Sequence, residues 1–189
     1  MVNIGGILIE TPLALAPMAG VTDASFRAIC REQGAGLTCT EMVSAKALCF
    51  QDKKSVPLLK LGEGEHPAAA QIFGSDPVCM EEGAAIAAEV SGADIIDINM
   101  GCPVPKVANS GDGSGLMRDP DKAVRVAEAV IRGARRPVTV KFRAGIRAPS
   151  TAWSLQKPWS RPGRPPWLSM AAPGTRCTPE RPTGTISGR

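Results

Sequence analysis

Short apolar runs alternate with longer amphipathic stretches up to about residue 146, and this alternation predicts strand, helix, strand repeated along the chain. Leu13–Ala16, Leu37–Thr40, Ala69–Phe73, Ile95–Ile98 and Pro137–Phe142 are read as strands. The stretches between them are read as helices with legible ends. Asp76-Pro77 and Asp119-Pro120 each offer an N-cap oxygen followed by a proline at the first helical position, where its missing N–H costs nothing. Gly34, Gly92 and Gly133 stand where those helices are expected to stop. Spacings of roughly 25 to 40 residues between strands leave room for one crossover helix each and imply parallel pairing, in a (β/α) barrel or an open wound sheet.

Composition narrows the setting. The chain has 189 residues, 43% hydrophobic and 21% charged, enough for one domain with a real core. No apolar run reaches the roughly 18 residues of a membrane span, and Met1-Val2-Asn3-Ile4 does not begin a secretory signal. The six cysteines form no C-x-x-C pair and His66 is the single histidine, so no metal site is expected, and scattered thiols fit the cytoplasm. The net charge of +4 divides unevenly: residues 1–146 carry 15 basic against 17 acidic side chains, and 147–189 carry 7 against 1. Overall charge therefore says little about partners.

From residue 147 the chain changes character. The segment 147–189 holds 8 of the 17 prolines and all three tryptophans, with no Val, Phe, Asp or Asn. Proline at that density blocks helix and ladder alike, so an irregular tail is expected, disordered or frameshifted. A one-base slip near Arg147 accounts for the composition. Out of frame, Trp153–Arg189 back-translates into an amphipathic helix ending at glycine, an apolar strand and a polar loop, which is the next unit of the repeat.

Candidate chemistry gathers at strand ends. Asn99-Met100-Gly101-Cys102-Pro103 places a thiol where an apolar strand breaks into a loop, between a residue without a Cβ and one without an N–H. Cys102 is read as a working side chain rather than a small buried hydrophobe. Ala16-Pro17-Met18-Ala19-Gly20 ends the first strand in small residues that let backbone lie against a planar ring, or that simply make a turn. Gln71 lies inside an apolar strand and needs a partner, from a ligand or from the protein. Lys141 interrupts another strand and either meets a counter-charge or snorkels to solvent. Gly111–Gly115 is a glycine-rich loop before the Asp119-Pro120 cap.

Five segments in order resemble the tRNA-dihydrouridine synthase family: Ala16–Asp23, Thr40-Glu41-Met42, Gln71–Gly74, Asp97–Pro103 and Val140–Arg143. The resemblance implies an α/β fold of the (β/α)8 TIM-barrel type. About the first half is represented, as a partial catalytic domain over 1–146 followed by the 147–189 tail. An eight-stranded barrel needs roughly 250 residues. The resemblance further implies FMN as cofactor, contacted by Pro17, Met18, Ala19, Gln71 and Lys141, with NADPH as electron donor. Lys141 would stabilise negative charge on the reduced ring. Cys102 would deliver a proton to C5 of a tRNA uridine while hydride reaches C6, since a cysteine thiol ordinarily keeps its proton at neutral pH. Asn99 and Arg143 would touch the RNA, Arg143 being alternatively an ordinary surface charge. Two other readings stand beside this one: a silent half barrel, and a dihydroorotate dehydrogenase-like FMN enzyme acting on a free pyrimidine. The 189-residue chain by itself is expected to purify without flavin.

Overall fold

Side chains of a strand point alternately to its two faces, and here the two faces have separate duties. The structure, a computed structural model, describes residues 1–143 and 168–172. Five strands lie side by side in chain order: β3 (Thr38–Cys39), β5 (Ala68–Phe73), β6 (Ile95–Met100), β7 (Val138–Arg143) and β8 (Leu168–Ala172). The short β4 (Val43–Ser44) adds to β5, and every pairing in this sheet is parallel. Ala70, Ile72, Ile96, Ile98, Met100, Val138, Val140 and Phe142 face α3 (Pro77–Ser91) and α5 (Pro120–Ala134), forming the main core. Strands in sequential order with their helices on one face are the arrangement of a barrel, whereas a doubly wound sheet reverses order and covers both faces. This is the first half of a (β/α)8 barrel.

The opposite, concave face is closed from below. A hairpin of β1 (Val2–Ile4) and β2 (Ile7–Ile9) turns through Gly5 and Gly6, both at positive φ. It packs Ile4 and Ile9 against Leu37, Cys39, Ala69 and Ile95. The alternation over 13–16 does not become a full strand: Ala14 makes a single parallel bridge to Leu37. Pro12 and Pro17 bracket the segment and remove ladder donors.

Helix punctuation follows the expected chemistry with one correction. Asp76 caps α3 by accepting from the Val78 and Cys79 N–H groups, Asp119 caps α5 by accepting from Lys122, and Gly92 ends α3 in the left-handed region. Gly34, at φ 97°, follows the end of α1 (Ala24–Glu32). Gly133, expected to end α5, lies inside it, and Arg135 takes the left-handed cap instead at φ 50°. The reason is packing: a Cβ on Gly133 would lie 1.9 Å from the Glu81 carbonyl oxygen, so glycine is what lets α5 press onto α3. Two short helices, α2 (Ala45–Cys49) and α4 (Pro105–Ala108), complete the described set with two 3-10 turns. Of the tail from residue 147, only Leu168–Ala172 is described, and this proline-free piece adds β8 to β7. The rest of that segment, with the expected frame slip near Arg147, lies outside the described residues. No helix among the described residues is long and apolar enough to cross a membrane.

Candidate active site

Register stacks the concave face into layers. Above the apolar layer of Cys39, Ala69 and Ile95, Gln71 lies opposite Asp97 and Asp97 opposite Thr139. One step nearer the strand C-termini, Asn99 lies opposite Lys141. Cys102 follows β6 and Arg143 ends β7. Thus Gln71, Asn99, Cys102, Lys141 and Arg143, dispersed over 73 positions of sequence, meet at the C-terminal edge of three adjacent strands, the edge where barrels keep their chemistry.

Hydrogen bonds hold the Cys102 loop on both sides. The Asn99 side-chain oxygen accepts from the N–H of Gly101 at 3.1 Å and of Cys102 at 2.9 Å. Arg143 donates through Nε to the Gly101 carbonyl at 2.6 Å, so this guanidinium braces the loop. The glycine-rich segment forms a 3-10 turn, Gly113–Arg118, laid directly against the thiol residue. Ser114 N–H donates to the Cys102 carbonyl at 3.0 Å, and a Cβ on Gly113 would come within 3.1 Å of Cys102 Cβ. Cys102 itself is half-buried.

Gln71 finds protein partners at both ends of its amide. It donates through Nε2 to Asp97 at 2.6 Å and accepts at Oε1 from Asn99 at 2.9 Å. One amide hydrogen and one lone pair of this fully buried amide have no partner among the described residues. Asp97 is buried, and burial pushes its carboxyl above the ordinary value; hydrogen bonds from Thr139 and Gln71 and the charge of Lys141 pull the other way. Lys141 is half-buried, and no hydrogen bond or ion pair to its ammonium occurs among the described residues. Its charge acts on Asp97 and Cys39 across the concave face.

Pro17 leads into a turn, not a strand end, that Met18 and Ala19 begin, the Met18 carbonyl accepting from Val21 and Thr22 N–H. Thr22 fastens it, accepting from Met18 N–H at 3.0 Å and donating to the Met18 carbonyl at 3.2 Å. Glu41 reaches over from the segment after β3 to accept from Gly20 N–H at 2.5 Å. The next residue, Met42, receives the Asn99 amide on its sulfur at 3.5 Å, linking this turn to the Cys102 loop through one dipeptide. Met18 is 57% exposed. Asp97, Thr139 and Glu41 had no role in the sequence reading. A carboxylate inside the apolar run Ile95-Ile96-Asp97-Ile98 was the available signal for the first. The other two needed the register and the fold. No cluster of three or more metal-ligating side chains occurs among the described residues.

Parallel strands in chain order, helices on one face, and a thiol, two amides and an ammonium without a partner among the described residues, collected toward the strand C-termini, define the first half of a (β/α)8 barrel carrying a polar site. The sequence model of the family described as dihydrouridine synthase (Dus) matches residues 14–156. The chain is 45% identical over 146 residues to tRNA-dihydrouridine synthase B of Pseudomonas aeruginosa, covering 77% of this chain and 43% of that protein. It is 44% identical over 143 residues to tRNA-dihydrouridine synthase B of Proteus vulgaris, covering 76% and 44%. With a probable tRNA-dihydrouridine synthase of Rhizobium leguminosarum it shares 45% identity over 149 residues, covering 76% and 46%. The chain belongs to the dihydrouridine synthase family and spans less than half the length of these relatives. That membership decides against a dihydroorotate dehydrogenase-like reading.

Proposed function

We propose that the intact protein reduces uridine to 5,6-dihydrouridine in tRNA in the cytoplasm, with FMN as cofactor and NADPH as electron donor, and that this chain supplies the proton donor and the ring side of the cofactor site. The observation that carries the reading is the pairing of Asn99 with Lys141 across β6 and β7, directly below the braced Cys102 loop. The residues present fit a flavin. Lys141 offers an ammonium without a hydrogen-bonding partner among the described residues, Gln71 keeps an unused donor and acceptor, and Met18 and Ala19 after Pro17 present exposed small and flexible side chains.

When bound, reduced FMN supplies hydride to C6 of the uracil ring. Lys141 would balance negative charge on the reduced cofactor, and its half-buried position would make that balance stronger than at the surface. Gln71 would help orient the cofactor by hydrogen bonding. Cys102 gives its thiol proton to C5, and the bonds from Asn99 and Arg143 to the loop fix where the sulfur sits. Asn99 and Arg143, which hold the Cys102 loop, would also be the residues nearest an entering RNA base. A target base reaches this depth only by leaving its stack, so the substrate is a flipped uridine of folded tRNA.

Fusing residues 1–143 to the second half of the Pseudomonas aeruginosa relative supplies the late barrel loops that commonly grip a phosphate. The fusion is expected to purify yellow and to form dihydrouridine in unmodified tRNA, while the 189-residue chain alone purifies colourless. Cys102→Ala in the fusion is expected to keep its flavin and lose about 10²- to 10⁴-fold in rate, the range for a lost general acid. Unchanged dihydrouridine formation by that variant would refute the assignment.

A further inference from the structure

The layer beneath the site contains a carboxylate that the proposed reaction does not use. Asp97 accepts at both oxygens, from Thr139 Oγ1 at 2.5 Å and from Gln71 Nε2 at 2.6 Å. Gln71 Oε1 accepts from Asn99 Nδ2 at 2.9 Å, and the Asn99 oxygen accepts from the N–H groups of Gly101 and Cys102. The result is one continuous chain from Thr139 on β7 to the backbone of the thiol loop. Each amide in it has a donor end and an acceptor end, so the sense of one dictates the sense of the next. A carboxylate only accepts and a backbone N–H only donates. Between those two ends, a single orientation of Gln71 and Asn99 satisfies every contact. All four side chains are buried, where an unmade hydrogen bond is costly.

We propose that Asp97 is a positioning residue that, acting through Gln71 and Asn99, holds the Gly101-Cys102 backbone in place and so sets where the Cys102 thiol points. Asp97 touches no reacting atom in this account. Its importance to turnover rests on the function proposed above, but the relay exists in the flavin-free chain and is measured there, so either reading can fail without the other.

The test uses the full 189-residue chain without FMN. Two readouts are taken: the backbone amide proton shifts of Gly101 and Cys102 by NMR, and site-resolved alkylation by iodoacetamide, with Cys30 on α1 as internal reference. Asp97→Leu removes the acceptor at similar size. It is expected to move both amide shifts upfield and to raise Cys102 alkylation about fivefold, the ratio that one net hydrogen bond supports, with Cys30 unchanged. Asp97→Asn is expected to restore wild-type behaviour, because its oxygen still accepts from Gln71 and the Thr139 hydroxyl can turn to accept from its amide. Thr139→Val is expected to match wild type, since the carboxylate still fixes the sense. In an Asn99→Ala background, Asp97→Leu is expected to add nothing at Cys102, as required of a residue acting through Asn99. The proposal is overturned if Asp97→Leu leaves both readouts unmoved, if its increment survives in Asn99→Ala, if Cys30 rises in parallel, or if Asp97→Asn behaves like Asp97→Leu. Should Asp97→Leu melt below the assay temperature, Gln71→Met interrupts the same relay one link further on and is held to the same outcomes.

Discussion

Arg27 and Glu65 show what a single buried pair does for this fold. Arg27, on α1, donates to both Glu65 oxygens at 2.6 and 3.0 Å and also to the carbonyls of Thr22 and Lys60. Glu65 further accepts from Thr38 Oγ1 and from Gly62 N–H, so no charge is left without partners. Burial pushes the Glu65 carboxyl up, but the bonds from Arg27, Gly62 and Thr38 outweigh it and hold the group below its ordinary value of 4.5. A carboxyl lowered in the folded state contributes stability above its unfolded value and loses it as pH falls through the folded one. The melting temperature is therefore expected to fall as pH drops below about 4.5, and Glu65→Gln is expected to flatten that dependence. Arg27→Ala should cost about 3–5 kcal/mol in chemical denaturation, because it leaves a carboxylate buried without its cation.

At the scale of elements, the seam between α3 and α5 depends on missing side chains. Besides Gly133 against Glu81, Gly83 of α3 lies where a Cβ would come within 2.7 Å of Ala45 Cβ, at the start of α2. Three helices thus approach closely at two glycines. Gly133→Ala relieves helix entropy but forces a methyl into a carbonyl oxygen, and the clash decides the sign. It is expected to destabilise by about 1–3 kcal/mol in urea titration, the usual cost of overpacking. Asp76→Ala removes a cap that satisfies two N–H groups and should cost about 1 kcal/mol. Legibility at this scale followed locality. Asp76-Pro77 and Asp119-Pro120 announced helix starts because a cap is built from residues a few positions apart. Gly133 misled because its purpose, contact with Glu81, lies 52 positions away.

Across the whole molecule, stability and chemistry occupy opposite ends of the strands. The β1–β2 hairpin plugs the N-terminal end with Ile4 and Ile9, far in register from Asn99 and Lys141. Ile9→Ala is expected to cost about 2–5 kcal/mol while leaving the Gly101 and Cys102 amide shifts unchanged. A shift at those amides would show the two ends to be coupled. The hairpin itself, with β4 and α2, had no counterpart in the sequence reading. Runs of two to five residues carry too little periodicity to distinguish strand from helix.

The alternation of strands and helices from Leu37 onward, the capped helix starts, and Cys102 at a strand end were legible from neighbours in sequence, because periodicity, caps and strand-ending turns are local properties, whereas Asn99 and Arg143 were singled out only by the family resemblance. Tertiary structure alone decided that Gln71 faces Asp97, that Arg143 braces the Gly101 carbonyl, and that Glu41 pins the Met18 turn. Each of those contacts joins different segments of the chain, and its partner is chosen by the register of parallel strands and the curl of the sheet, neither of which any single stretch of residues specifies.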